Sequence, residues 1–141
     1  MHSTSTADEA RKHAPSGLGL TPSRLLLAAL FAFAGVMHFV APARYIAIVP
    51  SRLPNAPLLV IISGICEILG GLGVLLPQTR RLAGWGLIAL LIAVFPANIH
   101  MLQLAYANDG TTLWKAVLWF RLPLQLLMLW WVWRAAARPT R

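Results

Sequence analysis

Acidic residues are nearly absent from this chain: of 141 residues only Asp8, Glu9, Glu67 and Asp109 carry a side-chain carboxyl group, against twelve lysines and arginines. Cysteine is scarcer still. The one thiol, Cys66, sits inside an apolar run, which excludes an internal disulfide, a CxxC dithiol and a cysteine set for an iron–sulfur cluster. Charge as a whole is sparse, at 11% of residues, whereas 58% are hydrophobic and the mean hydropathy is +0.68. So little polar surface could not cover a packed core in water, and the composition points to a membrane class with a single small domain. The chain shows no glycine-rich nucleotide loop and no acyl-transfer triad. Its formal net charge of +8 does not indicate nucleic acid, because the basic residues stand at the ends of apolar runs instead of clustering along one stretch. The lipid bilayer is the expected partner.

What is present is a succession of apolar runs. Residues 1–23 are polar and mixed in charge, and read as a disordered tail that cannot bury enough apolar area to offset its ordering entropy. Residues 24–134 read as an all-α integral membrane bundle of four spans, about 25–41, 57–76, 82–106 and 114–133, with 135–141 as a basic tail. The second span is opened by Pro57 and closed by Pro77, and "ANDGTT" marks the turn before the fourth. Short connections imply an up-and-down order. The two termini and the loop between spans two and three then share a side, which holds Arg11, Lys12, Arg24, Arg80, Arg81, Arg134, Arg138 and Arg141. Only Arg44, Arg52 and Lys115 lie opposite, so the positive-inside rule makes both termini cytoplasmic. The longer connection "PARYIAIVPSRLPNA" reads either as an interfacial segment whose aliphatics dip into lipid or as a solvated loop.

Placed by depth, the polar residues inside the spans gather in one half of the bundle. At 1.5 Å a residue, Glu67 lies roughly 15 Å below the outer face, and Arg121 and Gln125 roughly 10 and 16 Å. His38, Asn98 and His100 fall in the same half. Ser63, Gly64, Glu67, Gly70 and Gly71 recur at three- and four-residue intervals, a stripe of small residues that suits close helix contact and turns Glu67 away from lipid. In the third span Ala93, Pro96, Ala97 and His100 share a face that is expected to point inward, with Asn98 elsewhere and bonded to an adjacent backbone or helix. Pro96 and Pro123 free the carbonyls of Ile92 and Trp119, breaks tolerated in lipid only where another group supplies a partner. Burying an unpaired arginine is expensive, so Glu67 and Arg121 are expected to pair across the bundle.

"GVMHFVAP", "SGICEILGGLGVLLPQTRRLAGWGL", "VFPANIHM" and "LWFRLPLQ" together resemble the DoxX family of small four-helix bacterial membrane proteins. The resemblance covers about residues 25–133 and implies a multi-pass protein of the cell inner membrane. Some relatives in that family are subunits of quinone-linked oxidoreductases, and most are uncharacterised.

Two functional classes follow. In one, the chain is a redox subunit whose polar pocket takes a quinone, with Glu67, His38 and His100 as proton partners and Asn98, Arg121 and Gln125 holding the headgroup. Electrons would come from other redox subunits or from the quinone itself. In the other, the chain is a non-catalytic scaffold or partner subunit, or a homo-oligomer, whose polar residues fix helix packing. Haem is disfavoured, because His38 and His100 have no attachment motif around them, and no spacing favours a metal. The tryptophans of the fourth span, Trp114, Trp119, Trp130, Trp131 and Trp133, read as interfacial belts or as flanks for a flat ring.

Overall fold

The computed structural model describes residues 20–138. These residues are helical throughout their regular structure, and four helices are long and apolar enough to cross a membrane. α1 spans Pro22–Val40, α2 is the short Pro42–Ile46, α3 spans Ala56–Gly73, α4 Arg80–Ala107 and α5 Thr112–Val132; a π-helical segment, Trp133–Ala137, prolongs α5.

Local chemistry sets the helix starts. Thr21 caps α1 by accepting from the Arg24 amide, with Pro22 in the first turn where its missing N–H is not needed. Asn55, in the left-handed region at φ 50°, caps α3 through the Leu58 amide, and Thr111 caps α5 through the Trp114 amide. At the far end of α3 the Gly73 carbonyl accepts from the Thr79 hydroxyl and the Val74 carbonyl from Arg80 Nε, so side chains take up carbonyls that the ended helix leaves open. The helix therefore stops at Gly73, three residues short of the expected Leu76. Pro96 and Pro123 interrupt neither α4 nor α5.

The expected tails are shorter than the polarity of the sequence implies. Pro22 and Ser23 belong to α1, and Ala136 and Ala137 are buried against Gly84 instead of forming part of a basic tail. The remaining expectations for the two tails, at residues 1–19 and 139–141, lie outside the described residues.

Contacts run antiparallel between successive long helices. Gly35 meets Gly64 and Ala28 meets Gly71 across α1 and α3, and Gly70 meets Leu87 and Gly73 meets Ala83 across α3 and α4. Asn98 then bonds Gln125 across α4 and α5. The crossing of α1 and α3 is the closest. A Cβ built on Gly35 would stand 2.6 Å from the Gly64 carbonyl oxygen, and one on Gly64 would stand 3.0 Å from the Gly35 carbonyl oxygen. Only glycine admits such backbone approach, and in hydrocarbon, where apolar burial drives little, close packing of this kind carries much of the association.

Leu27, Phe31, Val74, Leu87, Val132 and Ala136 pack as one apolar core toward the chain ends, and Leu102, Ala105 and Leu118 form a smaller one between α4 and α5. The outer surface is apolar as well. Leu82, Leu113 and Phe120 are 77%, 76% and 70% exposed, a coat that suits hydrocarbon and would be an aggregation liability in water.

Gly35→Ala should lower stability by about 1–3 kcal/mol, since its methyl meets a backbone carbonyl that cannot move aside. Gly86→Ala, with nothing within 4 Å of the added carbon, should be neutral or slightly stabilising. Thermal unfolding of both variants in detergent checks the contrast.

Candidate functional site

The glycine crossing brings His38 and Glu67 together. Side chains on a helix lean toward its N-terminus, so on antiparallel helices two residues just past the crossing lean toward each other. His38 stands one turn after Gly35 and packs its Cβ over Gly64; Glu67 stands one turn after Gly64 and packs its Cβ over Gly35. His38 Nδ1 and Glu67 Oε2 come to 3.4 Å, with only 10% and 12% of the two side chains exposed.

That contact is not a satisfied ion pair. His38 Nδ1 lies 2.9 Å from the Ala34 carbonyl, which can only accept, so Nδ1 carries the hydrogen and in the neutral ring Nε2 carries the lone pair. With that hydrogen directed at Ala34, Glu67 Oε2 is buried without a hydrogen-bond partner. The imidazole ring also stacks on Tyr45 of α2, with ring centroids 3.9 Å apart and planes 26° apart. Tyr45 lies outside the spans, and burial first and the nearby Glu67 second push its phenol pKa above the usual value, against the opposing pull of Arg121 and Arg44.

A second polar group runs between α4 and α5. Arg121 Nε donates to Asn98 Oδ1 at 3.0 Å, Asn98 Nδ2 donates to Gln125 Oε1 at 2.6 Å, and Gln125 Nε2 donates to the Leu91 carbonyl. Asn98 and Gln125 are 8% and 5% exposed, and each uses both its donor and its acceptor side in the chain. Gln125 reaches the carbonyl one residue before Ile92, the one that Pro96 deprives of its helical partner. The side-chain donor is thus delivered beside the proline break.

Several sequence expectations need correction here. Asn98 bonds the adjacent helix, as expected, but is itself buried, whereas of the face expected inward Pro96 and Ala93 are exposed and Ala97 and His100 only half-buried. The inward stripe of α4 runs Gly84, Leu87, Leu91, Val94, Asn98, Leu102, Ala105, always three or four apart, and that period was there to be read. Arg121 does not pair with Glu67: it spends Nε on Asn98, and no Arg121–Glu67 contact falls within 4.0 Å. His100 does not join His38 and Glu67 but donates from Nδ1 to the Ile48 carbonyl at 2.9 Å, tying down the connection after α2. Of the fourth-span tryptophans, Trp114, Trp119, Trp130 and Trp133 are exposed, and Trp131 donates to Ser23 Oγ at 2.8 Å.

Between the two polar groups lies a cavity of about 310 Å³. Glu67 and His38 border it on one side and Arg121 and Asn98 on another. Tyr45, Ile48, Val49 and Leu53 cover it, so part of the connection read either as an interfacial segment or as a solvated loop lines the cavity. The two terminal amino groups of Arg121 make no hydrogen bond within the described residues and remain available to an occupant. The roof residues, Tyr45 above all, escaped the sequence reading, since nothing in their local pattern signals a partner seven residues back across a turn.

Fold and site together define a class: an all-helical, multi-pass membrane protein with a roofed, largely apolar cavity among its helices that a few polar side chains border. Residues 27–136 match the family described as "Domain of unknown function (DUF8561)", and the chain belongs to it. No curated protein and no solved structure matches the chain.

Asn98→Ala should cost about 1–3 kcal/mol by stranding the buried Gln125 carbonyl and Arg121 Nε, whereas Gln103→Ala on the exposed face should stay within about 0.5 kcal/mol. Chemical denaturation in mixed micelles reads both. For Tyr45, the raised pKa means that its neutral phenol contributes stability below about pH 10 and that the contribution is lost as pH rises through the folded-state value. In an ultraviolet titration, Tyr45→Phe should remove a phenol that ionises later than an ordinary tyrosine; loss of one that ionises in the ordinary range contradicts the burial.

Proposed function

We propose that this protein is a DoxX-like, quinone-linked redox subunit of the bacterial inner membrane, an up-and-down four-helix bundle with both termini cytoplasmic and its cavity in the outer half. The observation that carries the reading is Glu67, whose Oε2 is buried without a hydrogen-bond partner and whose side chain borders a cavity also lined by Arg121, a residue that spends only its Nε within the described residues. A buried polar atom left open in this way is costly unless an occupant completes it. At about 310 Å³ the cavity falls at the small end of ligand pockets, roughly 300–1,000 Å³, a size that suits a single-ring headgroup.

A quinone headgroup is complementary in chemistry. Its two carbonyl oxygens accept, one from Arg121, the other from the Glu67–His38 side when a proton resides there. Two-electron reduction to the quinol takes up two protons, and Glu67 and His38 are the groups placed to pass them. With one cysteine in the chain, the electrons are supplied by a partner redox subunit. His100 acts on the roof and not on the headgroup, and Asn98 and Gln125 position Arg121 through the hydrogen-bond chain. The basic residues near Arg24, Arg80 and Arg134 support the cytoplasmic assignment of that end.

The scaffold reading has its own supporting observation. The chain from Arg121 Nε through Asn98 and Gln125 to Leu91 is made within the protein and would lock α4 to α5 with no ligand at all.

Quinone extracted from the purified wild type, measured against Glu67→Gln prepared identically, separates the two. Near-stoichiometric quinone in the wild type with a loss of roughly tenfold in the variant is the expected result. A well-folded wild type that carries no quinone and regains none from a quinone-doped bilayer favours the scaffold.

A further inference from the structure

The roofed cavity is not the only space that reaches Glu67. A groove of about 770 Å³ runs between α1 and α5, and Glu67 and Leu91 form its floor. Its walls are apolar: Leu30 and Phe33 on α1, Leu124, Leu127 and Trp130 on α5. All five of these wall residues are exposed, Phe33 to 67%. The two helices do not pack along their length. They join at one end, where Trp131 Nε1 donates to Ser23 Oγ and Arg24 Nε donates to the Ala135 carbonyl, and they stand apart beside Glu67.

We infer that this groove holds the apolar tail of the amphipathic molecule whose polar head occupies the roofed cavity, with Glu67 at the junction of the two. The inference rests on the quinone reading above and adds a tail subsite and a lateral route from the bilayer. From Leu124 to Trp131 the groove is about 10 Å long at 1.5 Å a residue, so it accommodates the first part of an isoprenoid chain and leaves the rest in lipid.

Occupants of other kinds fit less well. A hydrocarbon chain alone would leave the Glu67 carboxyl facing alkane, the costly arrangement that lipid-embedded proteins avoid. A helix from a second copy packed through this same face fits less well, because beyond apolar walls it would bring to Glu67 only another Glu67, a like group. A molecule with a polar end at Glu67 and an apolar remainder satisfies both spaces at once.

The test compares two probes on the full-length protein in bilayer discs: a benzoquinone with no tail and the same headgroup with a polyisoprenyl tail. Leu127→Trp and Leu30→Trp fill the groove from opposite walls, and Phe120→Trp, outside it, serves as the control. Comparing variants for one probe at a time removes the difference in membrane partitioning between the probes.

Both groove variants should weaken the tailed quinone by roughly tenfold or more while leaving the tail-less quinone within about twofold, and the control should change neither. Having two variants guards against one failing to fold. If the wild type binds the headgroup but neither variant affects the tailed quinone selectively, the groove is not a tail subsite, and the headgroup reading stands. If the wild type binds neither probe, the quinone reading fails and the tail subsite with it.

Discussion

Everything at the centre of this molecule depends on two backbones touching. Gly35 of α1 and Gly64 of α3 approach so closely that a methyl group on either would strike the other's carbonyl. Because the helices run antiparallel and their side chains lean toward their own N-termini, the residues one turn past each glycine converge. Those residues are a histidine and the only carboxylate in the four long helices. The same small-residue contact that substitutes for hydrophobic association in lipid therefore also builds the site.

A membrane interior demands that polar groups find partners within the protein. Between α4 and α5 the two amides meet it, since Asn98 and Gln125 each donate and accept in a chain that runs from Arg121 Nε to the Leu91 carbonyl. Beside it, at Glu67, the demand is not met. The contrast is informative because both arrangements occur within one small protein. A fold able to pair two amides beside a proline break leaves one carboxyl oxygen of Glu67, a residue that borders the cavity, without a hydrogen-bond partner.

The two histidines show how equal residue types part company. His38 stacks on Tyr45 and borders Glu67; His100 bonds the Ile48 carbonyl. Both contacts end on the connection after α1, so both histidines help fix the roof over the cavity. Only His38 also borders the cavity beside Glu67.

The long apolar runs and the small-residue stripe of α3 could both be read from the chain, because each is local: a period, a side chain's size. Glu67, His38, Arg121, Asn98 and Gln125 were legible as unusual for the same reason. A polar group in an apolar helix advertises itself. What it pairs with is a different matter. Charge alone suggested Glu67 with Arg121, yet Arg121 bonds Asn98, because the inward stripe of α4 carries Asn98 at a hydrogen-bonding distance. The roof formed by Tyr45, Ile48, Val49 and Leu53, and the gap between α1 and α5, have no local signature at all. Sequence by itself determined an all-helical chain with four helices able to cross a membrane and polar residues within them. Tertiary structure alone decided which of those residues meet and where space is left, since hydrogen bonds reach only about 3 Å and helix packing sets the distances.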